Sequence, residues 1–221
     1  MGLPGTVVTA DEGLLGFDTD TRVTPSAAAE LFAEGFRFCL RYVSLDAQQD
    51  STDLAVAEAT NLLRAGFAIM PVQHVREAPW VPSKDLGGSD GDRAAHHSLV
   101  LGFPAGVNVW CDLEGVDTSV SHQSVIDHCN AWFDAVAAAG FVPGVYVGAD
   151  CLLDGNELRF RLKFAHYWKS LSQVPDIAGR GYQMIQSKGT TVGGIAIDKN
   201  RTQADKLGGK VSWLSPTSIT S

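Results

Sequence analysis

Four of the Gly-Phe dipeptides in the chain recur at similar spacings, and this repeat constrains the fold more than any other feature of the sequence. It occurs at Gly35, Gly66, Gly102 and Gly140, with spacings of 31, 36 and 38 residues. A helix-like segment precedes each glycine and a β-rich segment follows it, so each glycine is expected to end a helix in the left-handed conformation. One period is about the length of a βα unit, and the chain is predicted to repeat that unit.

Eight β-rich segments are predicted, and helices lie between most of them. The strands are expected at 14–18, 36–43, 67–74, 107–113, 142–147, 164–168, 182–186 and 195–198, and the helices at 25–34, 51–65, 90–101 and 121–139. Strands that alternate with helices form parallel sheets, and eight of them can close into a barrel. We predict an α/β fold, a compact and somewhat irregular (β/α)8 TIM-type barrel. An open doubly wound sheet is the alternative, but no Gly-rich phosphate loop supports it.

Length and composition indicate how many domains the chain forms and which classes of binding partner it is expected to lack. The 221 residues fit one domain, expected at 1–215 with a loose tail at 216–221. The net charge is -8, with no Lys/Arg cluster, so no nucleic acid is expected as a partner. Because neither an export signal nor a long apolar run is present, no membrane is expected either, and location stays open. We expect a monomer with buried reduced cysteines, no cofactor and no metal.

Polar side chains collect where the predicted strands end, which is the face that carries active sites in β/α barrels. A carboxylate there can also be a helix cap or a loop residue, but four together favour a site. We predict catalytic roles for Asp18, Asp112, Glu114 and Asp198, and substrate binding by Arg41, Tyr42, Gln73, His74, Tyr146, Trp168, Gln183 and Gln186. The segment 75–92 is rich in Gly and Pro and is expected to form a loop over the mouth.

The segment Val-Asn-Val-Trp-Cys-Asp-Leu-Glu-Gly carries the sharpest local signal. Asp112 and Glu114 are two residues apart in a predicted strand, so they should project to one face with Cα atoms about 6.6 Å apart. Neighbouring carboxylates raise each other's pKa, which lets one hold a proton while the other is charged. That division suits glycosidic cleavage, in which an acid protonates the leaving oxygen and an anion stabilises the oxocarbenium-like centre.

These motifs resemble those of the Rv2525c-like glycoside-hydrolase-like domain, the DUF1906 group, which is related to the GH25 lysozyme (muramidase) barrels. The resemblance covers nearly the whole chain and is strongest at the opening Gly-Phe-Asp, the central Asp-Leu-Glu and the closing Ile-Asp-Lys-Asn. It implies that Glu114 is the general acid. Asp112 would stabilise the developing cation or orient an N-acetyl group, and Asp18 and Asp198 would position sugar or water. It also implies that Tyr146 and Trp168 could stack on sugar faces.

Three functions are compatible with these residues. The favoured one is a glycosidase that acts on a polysaccharide, with bacterial cell-wall peptidoglycan as the expected substrate. The second is a catalytically silent glycan-binding barrel that keeps the same cleft. The third is a metal-dependent hydrolase in which the acidic cluster holds a divalent cation.

Overall fold

A computed structural model describes residues 2–217, which form ten strands and five helices. The strands are β1 (Thr6–Thr9), β2 (Leu15–Thr19), β3 (Phe38–Val43), β4 (Ala68–Gln73), β5 (Asn108–Leu113), β6 (Val142–Val147), β7 (His166–Lys169), β8 (Met184–Val192), β9 (Ile195–Thr202) and β10 (Ser212–Ser215). The helices are α1 (Pro25–Ala33), α2 (Val56–Arg64), α3 (Lys84–Leu101), α4 (His122–Ala138) and α5 (Gly155–Phe160).

Strands β2 to β9 form a closed barrel of eight strands, which confirms the predicted fold class. Neighbours from β2 to β8 pair in parallel, with β4 and β5 joined only at Val72 and Trp110, and β9 closes the ring by pairing with β2. One expectation was wrong: the eighth strand, β9, runs antiparallel to both β8 and β2. The short turn at Gly193 and Gly194 explains this, because a parallel strand needs a crossover connection of a dozen residues or more.

The Gly-Phe repeat marks the ends of the first four helices, as predicted. Gly35, Gly66, Gly102 and Gly140 follow α1 to α4 with φ values of 96°, 99°, 93° and 88°. The phenylalanine after each glycine is buried in the core between helix and barrel. Each repeat therefore ends a helix and anchors the start of the next strand.

Two helices begin at other residues than predicted. Helix α2 begins five residues late, and α3 begins at Lys84, inside the segment expected to be a loop. The glycines that indicated a loop serve helix packing instead. A methyl group on Gly91 would lie 2.6 Å from the carbonyl oxygen of Trp132 in α4, and one on Gly87 would overlap the His128 carbonyl. Small residues here let α3 approach α4 closely.

Three short elements were not predicted. Strands β1 and β10 pair with each other, and β10 joins β4 at Ile69, near the end of the barrel where β4 starts. Helix α5 follows the N-cap residue Asp154, which forms a capping box with Glu157. Among residues 2–217, all four cysteines are free and buried, and no helix is long and apolar enough to cross a membrane. The predicted tail has Pro216 and Thr217 outside any strand, and 218–221 lie outside the described residues.

Large aromatic side chains fill the interior of the barrel. Trp110 and Trp168 meet edge to face with ring centroids 5.9 Å apart, and Tyr146 packs on Trp168 at 4.4 Å. Gly144 lies beside Trp110 in β6, where any larger residue would collide with the indole. The interior is thus a packed core, as in other β/α barrels, and only the end of the barrel is open.

The α3–α4 contact predicts opposite effects for two adjacent glycines. Gly87→Ala should lower the free energy of unfolding by about 1–3 kcal/mol, because its methyl group has no space beside α4. Gly88→Ala is the matched control, since nothing lies within 4 Å of a methyl group there. It should raise stability by about 0.5–1 kcal/mol through helix propensity. Urea unfolding measures both, and equal effects would contradict the packing account.

Candidate active site

An open cleft lies where the parallel strands of the barrel end. Its volume is about 580 Å³. The β8–β9 hairpin forms one wall, and Tyr42 of β3 with the first residues after β4 forms another. The residues around it are Asp18, Thr19, Asp20, Tyr42, His74, Val75, Asp112, Glu114, Gly189, Thr190, Thr191, Ala196, Ile197 and Asp198. All four predicted catalytic acids therefore meet in one cleft.

The Asp112 and Glu114 pair comes from the end of β5. Asp112 follows Trp110 on the inward face of the strand and is only 9 % exposed, while Glu114 lies just past the strand and is half-buried. Burial raises the pKa of Asp112 well above its usual value, and the nearby Glu114 and Asp18 raise it further. Burial also raises the pKa of Glu114. The pair is thus arranged to retain a proton at a pH where ordinary carboxylic acids are ionised.

Asp18 is held by two side-chain amides. Its Oδ1 accepts hydrogen bonds from Asn200 Nδ2 at 2.6 Å and from Gln186 Nε2 at 3.1 Å. Burial raises the pKa of Asp18 to about 7, these two bonds oppose the rise, and Asp198 adds to it. The carboxyl is fixed in position, yet it titrates near neutral pH.

The two amides are themselves fixed by aromatic side chains. Tyr146 donates its hydroxyl to Gln186 Oε1 at 2.9 Å, and Trp168 donates Nε1–H to Asn200 Oδ1 at 2.8 Å. Because each amide oxygen is already engaged, each NH2 group is left to face Asp18. Trp168 is 1 % exposed, so its ring is part of the core and presents no face to the cleft. Tyr146 is also buried.

Asp198 occupies a different position in its strand from the other acids of the cleft. Because β9 is antiparallel to β2, Asp198 lies directly opposite Asp18 in the register and not at the carboxyl end of a strand. Its side chain is exposed, and burial of part of it raises the pKa. The irregularity of β8 between Ser187 and Thr190 places Gly189 against the Asp198 carboxyl, where a side chain would collide with it.

Tyr42 and His74 form one wall of the cleft. Their rings stack with centroids 4.5 Å apart and planes inclined by 24°. The Asp53 carboxylate, which is buried, accepts a hydrogen bond from His74 Nε2 at 2.8 Å. This bond places the proton of a neutral ring on Nε2 and leaves Nδ1 as an acceptor. The side chain of His74 is 32 % exposed, which leaves it accessible to a ligand.

Six of the predicted substrate-binding residues do not line the cleft. Tyr146, Trp168 and Gln186 are buried in the network that holds Asp18, and the side chains of the other three are buried elsewhere on the barrel. Arg41 donates to the Glu58 carboxylate at 2.7 Å. Gln73 donates to the Asp90 carbonyl at 2.8 Å, and Gln183 donates to the Ala165 carbonyl at 2.9 Å. These side chains therefore use their hydrogen-bonding groups on other parts of the protein and have none free for a ligand in the cleft.

Two residues of the site were missed at the level of sequence. Asn200 belongs to the closing Ile-Asp-Lys-Asn motif, and its position two residues after Asp198 in a strand places both on one face, so it could have been found. Asp53 lies in the connection between β3 and α2, where no periodic pattern indicates which way a side chain points.

Within residues 2–217, no three His, Cys, Asp or Glu side chains are placed so that they could hold one metal ion. The four acids share the cleft without converging on one point.

Known proteins with the same fold include lysozymes. The Tat-secreted protein Rv2525c of Mycobacterium tuberculosis is 18 % identical, with a TM-score of 0.65 over 89 % of this chain and 98 % of that one. A bacterial lysozyme from Streptomyces coelicolor is 15 % identical, with a TM-score of 0.60 over 90 % and 95 %. A family 25 glycosyl hydrolase from Bacillus anthracis is 11 % identical, with a TM-score of 0.58 over 89 % and 91 %. At these identities the likeness is one of fold.

No curated protein matches the sequence. The sequence model of one family does, and it spans residues 29–204, which include β3 to β9 and three of the four predicted catalytic acids. The protein therefore belongs to the family described as Rv2525c-like, glycoside hydrolase-like domain.

Proposed function

We propose that the protein is a glycoside hydrolase that cleaves a polysaccharide, with bacterial cell-wall peptidoglycan as the substrate. The observation that carries the proposal is the Asp112 and Glu114 pair, two neighbouring acids with raised pKa values at the floor of an open cleft. The similarity of the fold to a lysozyme and to a family 25 glycosyl hydrolase supports the substrate class.

Glu114 is assigned as the general acid. Its carboxyl is half-buried, so it is accessible from the cleft, and burial raises its pKa in the direction that a proton donor needs. In glycosidic cleavage this proton goes to the oxygen of the leaving sugar as the C–O bond breaks. The electrons of that bond stay with the oxygen, and positive charge develops at the anomeric carbon.

Asp112 is assigned as the group that stabilises this positive charge. It lies beside Glu114 and deeper in the barrel, with water largely excluded, and an anion in such a place attracts a cation more strongly than one in solvent. Asp18 and Asp198 face each other across β2 and β9 and are assigned to position the sugar or the attacking water.

The Tyr42 and His74 wall is assigned to hold sugar hydroxyls. The Nδ1 atom of His74 can accept a hydrogen bond from a hydroxyl, while Asp53 prevents the ring from rotating. The buried residues Gln186, Asn200, Tyr146 and Trp168 are assigned an indirect role, since they hold Asp18 and do not contact the ligand.

Glu114→Gln tests the assignment of the general acid. The substitution keeps the shape of the side chain but removes the ionisable proton, so release of reducing sugar from purified peptidoglycan should fall by about 10²–10⁴-fold. The melting temperature should stay close to that of the wild type. Glu77→Gln is the control, because Glu77 is exposed on the connection after β4 and is not among the residues that line the cleft.

Undiminished turnover by Glu114→Gln would refute the assignment. Glycan binding by the wild type without hydrolysis, over a panel of polysaccharides and a wide pH range, would instead establish the silent binding barrel.

The high pKa of Asp18 predicts how stability varies with pH. The folded protein holds this proton up to about pH 7, whereas the unfolded chain releases it near pH 4. The stability contributed by protonated Asp18 is therefore complete below pH 4 and is lost as the pH rises to 7. Asp18→Asn keeps an acceptor for both amides but has no proton to lose. Its free energy of unfolding, measured relative to that of the wild type, should therefore increase by about 2–3 kcal/mol between pH 5 and pH 8.

Urea unfolding at pH 5 and at pH 8 measures this difference. Asp20→Asn removes the same charge from an exposed neighbour and should give a profile parallel to that of the wild type. If the Asp18→Asn profile were also parallel, Asp18 would not be the group that titrates near pH 7.

A further inference from the structure

A second, much smaller cavity lies behind the wall of the cleft. Its volume is about 10 Å³, which is the space that one water molecule requires. It is lined by Leu45, Gln73, His74, Val75, Arg76, Trp80, Asp90, Cys111, Asp112, His128 and Trp132. Asp112 also lines the cleft, so its carboxyl group lies between the two spaces.

Two buried polar atoms, in residues that line this cavity, have no hydrogen-bond partner in the described part of the chain. One is an acceptor, Asp112 Oδ1, and the other is a donor, Arg76 Nε. Arg76 is held in place by its NH2 group, which donates to Asp90 Oδ1 at 2.5 Å. An unsatisfied buried donor or acceptor costs about 1–3 kcal/mol, so a donor and an acceptor beside one water-sized cavity indicate a bridging water.

We propose that one buried water in this cavity accepts a hydrogen bond from Arg76 Nε and donates one to Asp112 Oδ1, which makes Arg76 a positioning residue for Asp112. Asp112 Oδ1 is then hydrogen-bonded on the side of the small cavity. Oδ2 remains available to the cleft, so the water and Arg76 determine how the Asp112 carboxyl is oriented in the cleft.

The consequence for catalysis rests on the function proposed above. Of two neighbouring carboxyls, the more deeply buried one holds a shared proton more strongly, and here that residue is Asp112. With the proton on Asp112, Glu114 would be ionised and could not act as the acid. A hydrogen bond donated to Asp112 favours its ionised form, and the proton then stays on Glu114. Arg76 thus selects which member of the pair carries the proton.

The other charged or titratable groups around Asp112 do not supply this selection. On the cleft side these groups are Asp18, Asp20, Tyr42, His74, Glu114 and Asp198, and on the inner side they are Asp90, Cys111 and His128. Burial lowers the pKa of His128 to about 4, so this ring is neutral at the pH of interest. Arg76 is the one arginine or lysine among the residues that line the two spaces.

Two measurements on the wild type test the water without any assay of activity. A crystal structure at high resolution should show one ordered water within hydrogen-bond distance of both Arg76 Nε and Asp112 Oδ1. A dry cavity, or a water that contacts only one of them, would overturn the proposal. Carbon-13 NMR of labelled carboxyl groups, with Asp112 assigned through Asp112→Asn, should show Asp112 ionising at lower pH than Glu114.

Arg76→Lys tests the role of Arg76. A methylene group replaces Nε while a positive charge stays beside Asp90, so the pKa of Asp112 should rise by about one pH unit. Arg93→Lys is the matched control, because Arg93 lies 3.9 Å from the same Asp90 oxygen but lines neither space. Unchanged titration of Asp112 in Arg76→Lys would overturn the proposal.

Kinetics separate this inference from the proposed function. If both hold, Arg76→Lys should lower kcat about tenfold with KM unchanged, and should shift the acid limb of the pH profile. If Glu114→Gln leaves cleavage intact, the role of Glu114 as general acid is refuted, while the water and the titration of Asp112 can still be observed. If Glu114 is essential and Asp112 titrates identically in both arginine variants, the function stands and the role of Arg76 is refuted.

Discussion

The antiparallel pairing of β2 with β9 is the interaction on which the site depends. It closes the barrel and brings the last barrel strand, β9, beside the first, β2. Asn200 then lies opposite Gly16, inside the barrel, from where it reaches the Asp18 carboxyl. Without this pairing Asp18 would lose both of its amide partners from the hairpin, and the cleft would lose a wall. The fold and the site are therefore one cooperative arrangement.

The features that the sequence predicts well are those with a local physical signature. Glycine after a helix adopts the left-handed conformation almost regardless of its surroundings, so the Gly-Phe repeat located four helix ends and the strands that follow. The Asp112 and Glu114 pair is similar, because a spacing of two in a strand places both side chains on one face. Closure of the barrel followed from counting such units.

The features that the sequence predicts poorly depend on contacts between distant parts of the chain. Gly87 and Gly91 read as loop residues, because only the docked α4 helix shows that they make room in a helix. The direction of β9 is not encoded in its own pattern. Arg41 and Tyr42 are adjacent in β3, so only one could face the mouth, and the partner that draws Arg41 outward, Glu58, lies on α2.

The filling of the barrel by Trp110 and Trp168 has a consequence for how a long molecule could be bound. Since the indoles block the axis below the acids, there is no passage from one end of the barrel to the other. A polymer cannot be threaded through the protein and must lie across its face, with both ends in solvent. Attack could then occur at any point along a chain, and both fragments would leave from the side by which the intact molecule arrived.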